Sequence, residues 1–276
     1  MPRSASSYFT PRTDIDKNAY LTLGFSAFIL FFIFWSVLSY GGLVQETFLP
    51  APHTVFQTAL QLLTTGDLLN HMGFSIWRVT AGFLLATLIA VPLGILMGTL
   101  KVFEGFFEPL IGFVRYMPAS AFIPLFILWI GLGEGEKIAV IFFGTFFQQT
   151  LMVMDVTKNV SNDLIDVSYT LGASKPAVFK KVILPAALPG IVDTLRITFG
   201  WAWTYLIVAE IVGATVGLGY MIMQSSRFLS TDKIFVGILT IGFLGMLSDL
   251  IFKIIYRRLF PWLNEGGGIK SETGKN

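Results

Sequence analysis

The sequence predicts an all-α membrane protein with about six transmembrane helices, and three observations support this fold class. Apolar residues make up 54% of the 276-residue chain and charged residues only 13%, about half the charged share of an ordinary soluble domain. Glycine is abundant, with 27 residues, and it is commoner in membrane-spanning helices than in soluble ones. The apolar residues also fall in long runs bounded by charges, glycine or proline. The high apolar content excludes a disordered chain, and the absence of cysteine excludes a disulfide scaffold.

Six of these runs approach the length of roughly 20 residues that a helix needs to cross a bilayer core. They cover residues 20–40, 75–100, 113–131, 137–156, 189–212 and 234–255. The first run has no small-residue cleavage site after it, which favours a retained span over a signal peptide. No loop is long enough for a core of its own. We therefore predict one transmembrane domain over residues 20–262, with cytoplasmic tails at 1–19 and 263–276, the second of them flexible.

The distribution of Lys and Arg predicts the orientation, because these residues in short loops resist translocation. Thirteen of the 19 fall on one side of the predicted spans, whereas Lys137, Arg227 and Lys233 fall on the other. The loop at residues 41–70, also on that other side, has none. Both termini are therefore predicted to be cytoplasmic. Arg78, Arg115 and Arg196 lie near span ends, where we expect them to extend to the membrane interface.

The first outer loop is predicted to contain a short amphipathic helix on the membrane surface. It follows a stretch with two prolines, and its apolar residues have helical spacing. These residues are Val55, Phe56, Ala59, Leu60 and Leu63. We interpret this helix as a structural anchor, with ligand contact as the alternative.

The fourth loop, residues 157–188, is the most informative segment of the chain. Its apolar spacing predicts two short helices that meet at Gly172, which can adopt the positive φ that ends a helix. Ser174 is placed to cap the second helix, and Pro185 and Pro189 are expected to break the chain before the fifth span. A basic, apolar helix pair of this kind could be a docking surface, or a hairpin lying against lipid headgroups.

Within this loop, Asp166-Val167-Ser168 is followed by Gly172, Val182 and Leu184-Pro185. The spacing resembles the EAA motif of ABC importer permeases, which is Glu-Ala-Ala, three residues, glycine, nine residues, isoleucine, one residue, Leu-Pro. The chain departs from the motif in the first triplet and at Val182. Shorter matches between Phe48 and Trp262, such as Arg115-Tyr116-Met117-Pro118, resemble the nitrate, sulfonate and taurine branch of that family.

The resemblance implies a type I ABC importer permease in a bacterial inner membrane. In that family the loop forms coupling helices that fit a groove on a cytoplasmic ATPase. The residues implied at or supporting this contact are Asp166, Gly172, Ala173, Phe179, Leu184 and Pro185. Two ATPase subunits, which would hold ATP and Mg²⁺, a second permease copy as a homodimer, and an outer solute-binding protein are the implied partners. No cofactor is expected on this chain.

Four polar residues at membrane depth are candidates for lining a translocation pathway, because polar and ionisable groups there are costly. They are Arg115, Gln148, Gln149 and Glu210. The alternatives are hydrogen bonding between helices for the glutamines, an interface position for Arg115, and a structural role for Glu210. A carboxylate would repel an anion in the pathway unless it were paired or protonated.

We therefore expect a permease subunit that imports a small anionic solute, such as nitrate, a sulfonate, taurine or a bicarbonate-like ion. The alternatives are a pyrimidine-like or cyanate-like solute, an ion-coupled secondary transporter or channel, and a membrane-embedded enzyme. The sequence has no phosphate-binding GxxxxGK[ST] loop and no HExxH motif, so we predict no catalytic residue and no metal site. The basic residues share no single face that would bind nucleic acid.

Overall fold

The computed structural model describes residues 16–265, which are helical and contain no β-strand. The predicted tails therefore lie mostly outside the described residues. The helices are α1 (Lys17–Tyr40), α2 (Pro52–Thr65), α3 (Asp67–Thr99), α4 (Lys101–Val114), α5 (Ile123–Ile130), α6 (Glu134–Lys158), α7 (Asn162–Thr170), α8 (Lys175–Val178), α9 (Leu184–Gly213), α10 (Leu218–Arg227), α11 (Thr231–Leu259) and α12 (Pro261–Glu265). A 3-10 turn, Ala119–Phe122, precedes α5, and a π-helical turn, Phe179–Ile183, precedes α9.

Five of these helices, α1, α3, α6, α9 and α11, are long and apolar enough to cross a membrane. The sixth span is broken, because α4 and the helical segment Ala119–Ile130 are bent by 83° relative to each other. The predicted span over residues 113–131 therefore covers mainly the second part of this broken span, which begins at Lys101. Pro118, with an extended backbone, explains the break, since a proline disfavours helical geometry in the residue before it.

The fifth span begins earlier than predicted and is continuous with the preceding loop. Pro185 lies in the first turn of α9 and Pro189 lies inside it, so the prediction that they break the chain is wrong. The π-helical turn comes directly before Pro185, where an α-helical turn would place a carbonyl against the proline ring. As a result, residues Lys175–Gly213 form one helical run of 39 residues.

The outer loop contains the predicted helix, α2. It packs beside α11, and Thr58 donates a hydrogen bond of 2.7 Å to Asp232 at the start of that helix. The first span, α1, lies at the edge of the bundle. Trp35 joins it to the rest of the chain, because its indole nitrogen donates to the carbonyl of Pro50 at 3.0 Å and its ring stacks on Phe235.

The centre of the bundle is the packing of α3 against α6, and α9 packs against both of these helices. Three glycines of α3, Gly82, Gly94 and Gly98, lie so close to α6 that an added Cβ would be about 2.7 Å from its atoms. At Gly94 these include the backbone oxygen of Thr150. Small residues allow helix backbones to approach, which strengthens van der Waals packing in a membrane.

Ion pairs connect the helices at their predicted cytoplasmic ends. Glu104 accepts hydrogen bonds from Lys101 at 2.8 Å and from Lys158 at 2.7 Å, so it joins α4 to the end of α6. Asp249 pairs with Lys253 at 2.8 Å on α11 and also with Arg196 of α9. These pairs help to hold α6 beside α4 and α9 beside α11.

We expect Gly94→Ala to destabilise the protein by about 1–3 kcal/mol, because the new methyl group would overpack the contact between α3 and α6. The measurement is the thermal unfolding of the purified protein in detergent. Gly73→Ala is the matched control, since Gly73 lies on the same helix with no atom within 4 Å of its added Cβ. Equal unfolding temperatures for the two variants would contradict this description of the packing.

Candidate functional site

The loop between the fourth and fifth spans forms two short helices, as predicted, and Gly172 separates them. Its φ of +82° ends α7. The amide of Gly172 donates to the carbonyl of Tyr169 at 2.9 Å, and that of Ala173 to the carbonyl of Ser168 at 3.0 Å. This pair of bonds is a Schellman motif, the usual way of ending a helix at a glycine. Ser174 takes the N-cap position of α8, but its side chain makes no capping hydrogen bond.

The two helices of this loop use their apolar sides differently. Val178 and Ile183 are buried, and Phe179 packs on the cytoplasmic core around Ile95 and Ile191. The apolar side of α7 is exposed instead, with Leu171 at the turn 82% accessible. The exposed apolar residues on this side are Leu164, Val167 and Leu171, which have helical spacing, and Tyr169 is exposed on another side of α7. Exposed apolar side chains grouped on one helical face are typical of an interaction site.

The six residues predicted at the coupling contact occupy both sides of this helix pair. Asp166 and Gly172 are exposed on the α7 side, and Ala173 is partly exposed beside them. Pro185 is exposed in the first turn of α9. Phe179 and Leu184 instead pack against the buried cytoplasmic core, so they support the helix pair from inside.

A cavity of about 570 Å³ lies between the break of the α4–α5 span, α6 and α9, within the usual size range of small-molecule sites. Its wall combines aromatic rings with hydroxyl, amide and guanidinium groups. Gly144 has a steric role here, because an added Cβ would lie 2.5 Å from the ring of Tyr205. The lining residues include Arg115, Ser120, Phe147, Gln148, Thr204 and Tyr205.

Two of the four pathway candidates line this cavity. Arg115 follows the last residue of α4, and its guanidinium lies 4.7 Å from the ring centre of Tyr116 and donates to that residue's hydroxyl at 2.9 Å. Gln148 contributes its amide from the middle of α6. Arg115 is the only charged residue in the wall within the described part of the chain. The cavity therefore has a positive charge at the break of the span.

The other two candidates do not line the cavity. Gln149 is fully buried, and its amide nitrogen donates to the hydroxyl of Thr87 at 2.8 Å. This bond joins α6 to α3, which is a common use of glutamine between membrane helices. Glu210 is 1% exposed and lies in an ion pair near the outer end of α9.

The partner of Glu210 is Arg78, and the expectation that Arg78 extends to the membrane interface is wrong. Its side chain is 1% exposed. Nε and Nη2 donate to the two carboxylate oxygens of Glu134, each at 2.6 Å, and Nη1 donates to Glu210 at 2.7 Å and to the carbonyl of Val216 at 2.6 Å. A buried guanidinium is tolerated in a membrane protein when its donors are satisfied in this way.

Glu210 also organises the turn between α9 and α10. Its Oε2 accepts the amide of Gly219 at 2.7 Å, and its Oε1 accepts the hydroxyl of Ser75 at 2.8 Å. Gly217, at φ +129°, passes so close to the carboxylate that a side chain there would collide with it. The amide of Leu218 donates to Ser75 at 2.9 Å. The carboxylate is thus enclosed by α3 and the start of α10.

A second buried pair lies beside this one at the start of α6. Lys137, which the charge count placed in the outer loop, is 2% exposed. Its ammonium group donates to the carbonyl of Gly133 at 2.8 Å and lies 3.4 Å from Glu136. The other carboxylate oxygen of Glu136 has no hydrogen-bond partner among residues 16–265. The outer ends of α3, α6 and α9 therefore share a buried, charged region.

Sequence analysis missed this region because each of its charges was interpreted separately. The signal was present in the spacing of α3, where His71, Ser75 and Arg78 fall on one helical face that continues to Gly82. Polar residues with helical period on an otherwise apolar span indicate a buried polar contact. The partner could not be found in this way, because Glu210 lies 132 residues further along the chain.

Comparisons with known proteins identify the family of this chain. Residues 90–264 match the family model described as the binding-protein-dependent transport system inner membrane component. The chain is 38% identical to SsuC of Bacillus subtilis, named for aliphatic sulfonates transport, over 85% of each chain. It is 33% identical to the taurine transport system permease TauC of Escherichia coli, over 92% of this chain and 94% of that one.

The fold is also that of a solved transporter. An inward-facing structure of the MetNI methionine ABC transporter matches with a TM-score of 0.61 and 20% sequence identity, over 71% of this chain and 97% of that chain. This likeness confirms the predicted all-α architecture of type I importer permeases. With its apolar spans and its family match, the chain is a multi-pass inner-membrane protein that belongs to the permease family of binding-protein-dependent ABC importers.

Proposed function

We propose that this chain forms the translocation pathway of an ATP-driven importer for a small sulfonate-like or other oxyanionic solute. The observation that carries the proposal is the exposed helix pair around Gly172, whose second helix, α8, is continuous with α9. A partner that binds this surface can move α9, and α9 lines the cavity through Thr204 and Tyr205. The arrangement therefore offers a mechanical route from the cytoplasmic face to the pathway.

The partner at this surface is a cytoplasmic ATPase that binds ATP and Mg²⁺. We infer two ATPase subunits and two copies of this chain, since a closed pair with a two-fold axis is the commonest assembly of identical subunits. ATP binding would bring the ATPase subunits together and move both helix pairs. The spans would then rock between inward-open and outward-open states around the cavity, while a solute-binding protein delivers solute from outside.

The chemistry of the cavity favours an anionic solute. Arg115 supplies a positive charge, Gln148 an amide and Thr204 a hydroxyl, and no carboxylate occurs in the described wall. A guanidinium recognises sulfonate, nitrate or carboxylate oxygens through charge-assisted hydrogen bonds. The names of the relatives, which refer to sulfonates and taurine, support the same class. Gln149 and Glu210, by contrast, have structural roles in this proposal.

Purification of the tagged chain from its own membranes in mild detergent should yield an ATPase in a one-to-one ratio with it, because the helix pair is the contact surface. Mass spectrometry identifies and counts the partners. A known ABC importer purified in parallel shows that the detergent preserves such complexes. A chain that repeatedly emerges without an ATPase, and whose uptake follows an ion gradient, would favour a secondary transporter instead.

Gly172→Glu should abolish ATP-driven uptake and weaken ATPase binding, since it places a charge and a strained residue in the turn that ends α7. The strain is about 1–2 kcal/mol for an L-residue at this φ, and it acts at the contact surface. Gly42→Glu is the control, because Gly42 also has a positive φ, +68°, with open space around it, but lies in the outer loop. Near-normal uptake by a well-expressed Gly172→Glu variant would contradict the proposal.

Arg115→Gln should lower the apparent affinity of uptake for taurine or ethanesulfonate by about tenfold or more, from the loss of charged hydrogen bonds. Gln148→Leu should also reduce uptake. Gln149→Leu is the neighbouring control, because it removes only the bond to Thr87, and it should lower stability by about 0.6 kcal/mol without changing uptake. If Gln149→Leu reduced uptake more than Gln148→Leu, the assignment of the cavity would be wrong.

A further inference from the structure

Arg78 makes one unit of four chain segments at the outer side of the membrane. Its guanidinium bonds to Glu134 at the start of α6, to Glu210 near the end of α9 and to Val216 in the following turn, while Arg78 itself belongs to α3. The guanidinium carbon of Arg78 also lies over the ring of Phe74, 5.6 Å from the ring centre. Four of the five N–H donors of this side chain are used, so the bonding leaves little freedom for one segment to slide past another.

The carboxylate of Glu210 extends this unit to α10. It receives hydrogen bonds from Arg78, from Ser75 and from the amide of Gly219 in the first turn of α10. A carboxylate at this position also suits the positive end of the helix. The amide of Gly217 donates to His71 of α3 at 3.0 Å. The turn is therefore fastened to α3 through Gly217 and Leu218, and to α9 through Gly219.

The other end of α9 is the helix pair at the cytoplasmic face. The run Lys175–Gly213 is helical throughout and has 39 residues, which corresponds to about 58 Å at 1.5 Å per residue. Its first turns carry the exposed lysines of the helix pair, and Glu210 lies three residues from its last residue. A continuous helix transmits displacement along its axis. A helix broken at Pro185 and Pro189 would bend at the break instead of transmitting the displacement.

We propose that Arg78 and Glu210 are positioning residues that transmit the movement of α9 to the outer ends of α3 and α6 and to the α9–α10 turn. Both side chains are buried, and breaking one partner away leaves an uncompensated charge. When α9 is displaced, the outer ends of α3 and α6 and the α9–α10 turn therefore move with it, because sliding between them would break these bonds. This inference depends on the proposed function, because it assumes an ATPase that moves the helix pair.

The test uses the complete transporter, with its ATPase and its binding protein, reconstituted in lipid vesicles. The variant Arg78→Met/Glu210→Leu replaces the ion pair by apolar side chains, a change that often preserves folding. We expect ATP hydrolysis to continue while the amount of taurine or ethanesulfonate imported per ATP falls at least tenfold. Thermal unfolding of the same preparation, unchanged within a few degrees, separates this loss of coupling from a loss of structure.

The control is Arg196→Met/Asp249→Leu, which removes an ion pair of the same chemistry between α9 and α11 at the predicted cytoplasmic side. We expect import per ATP to stay within twofold of the unmodified transporter. An equal loss of coupling in this control, or unchanged coupling in the Arg78→Met/Glu210→Leu variant, would overturn the proposal.

If the double variant does not fold, Ser75→Ala tests the same proposal. It removes one hydroxyl that joins Glu210 to the amide of Leu218 and leaves the ion pair in place. We expect import per ATP to fall two- to fivefold, with recovery in Ser75→Thr, and an unchanged ratio would overturn the proposal. The unmodified transporter tests the proposed function separately. Absence of ATP-driven import in it would contradict the proposed function, whereas the variants test the role of Arg78 and Glu210.

Discussion

Close contact between the backbones of α3 and α6 is the constraint on which the rest of the structure depends. In a bilayer, apolar side chains gain little by leaving lipid for protein, so association of helices relies on close packing and on polar contacts. Gly82, Gly94 and Gly98 supply the packing by leaving room for α6. The amide of Gln149 adds a hydrogen bond to the same interface. With this pair fixed, α9 can pack against both helices and border a cavity.

The same physics explains why charged groups at the outer side are not scattered. A single buried charge in this region would be costly, but Arg78, Glu134 and Glu210 satisfy one another and use backbone groups of the adjoining turn. The outer ends of three spans are thus joined mainly by directional bonds, whereas their middle parts are joined mainly by packing, with one hydrogen bond from Gln149 to Thr87. The cavity lies beside α6, α9 and the 83° bend between α4 and the segment Ala119–Ile130, where neither ion pairs nor close packing closes the described part of the bundle.

The sequence was sufficient for those features that depend on local composition and spacing. Long apolar runs predicted the spans, and Gly172 predicted the turn between the two short helices, because both follow from chain neighbours within a few residues. Local spacing did not predict the helical positions of Pro185, which follows a π-helical turn, and of Pro189, which lies inside α9. Arg78 was misplaced for a different reason. Its burial depends on Glu210, which is distant in the chain, and single-residue expectations place an arginine near a span end at the interface.

The two glutamines show how far an inference from residue type extends at membrane depth. Gln148 and Gln149 are adjacent, and both are polar residues in an apolar helix, so the sequence predicts both equally as pathway residues. Successive residues of a helix point about 100° apart, and this rotation sends Gln148 into the cavity and Gln149 against Thr87. Residue type therefore identifies a costly polar group, but only the packing of α6 against its neighbouring helices decides whether that group faces a solute or another helix.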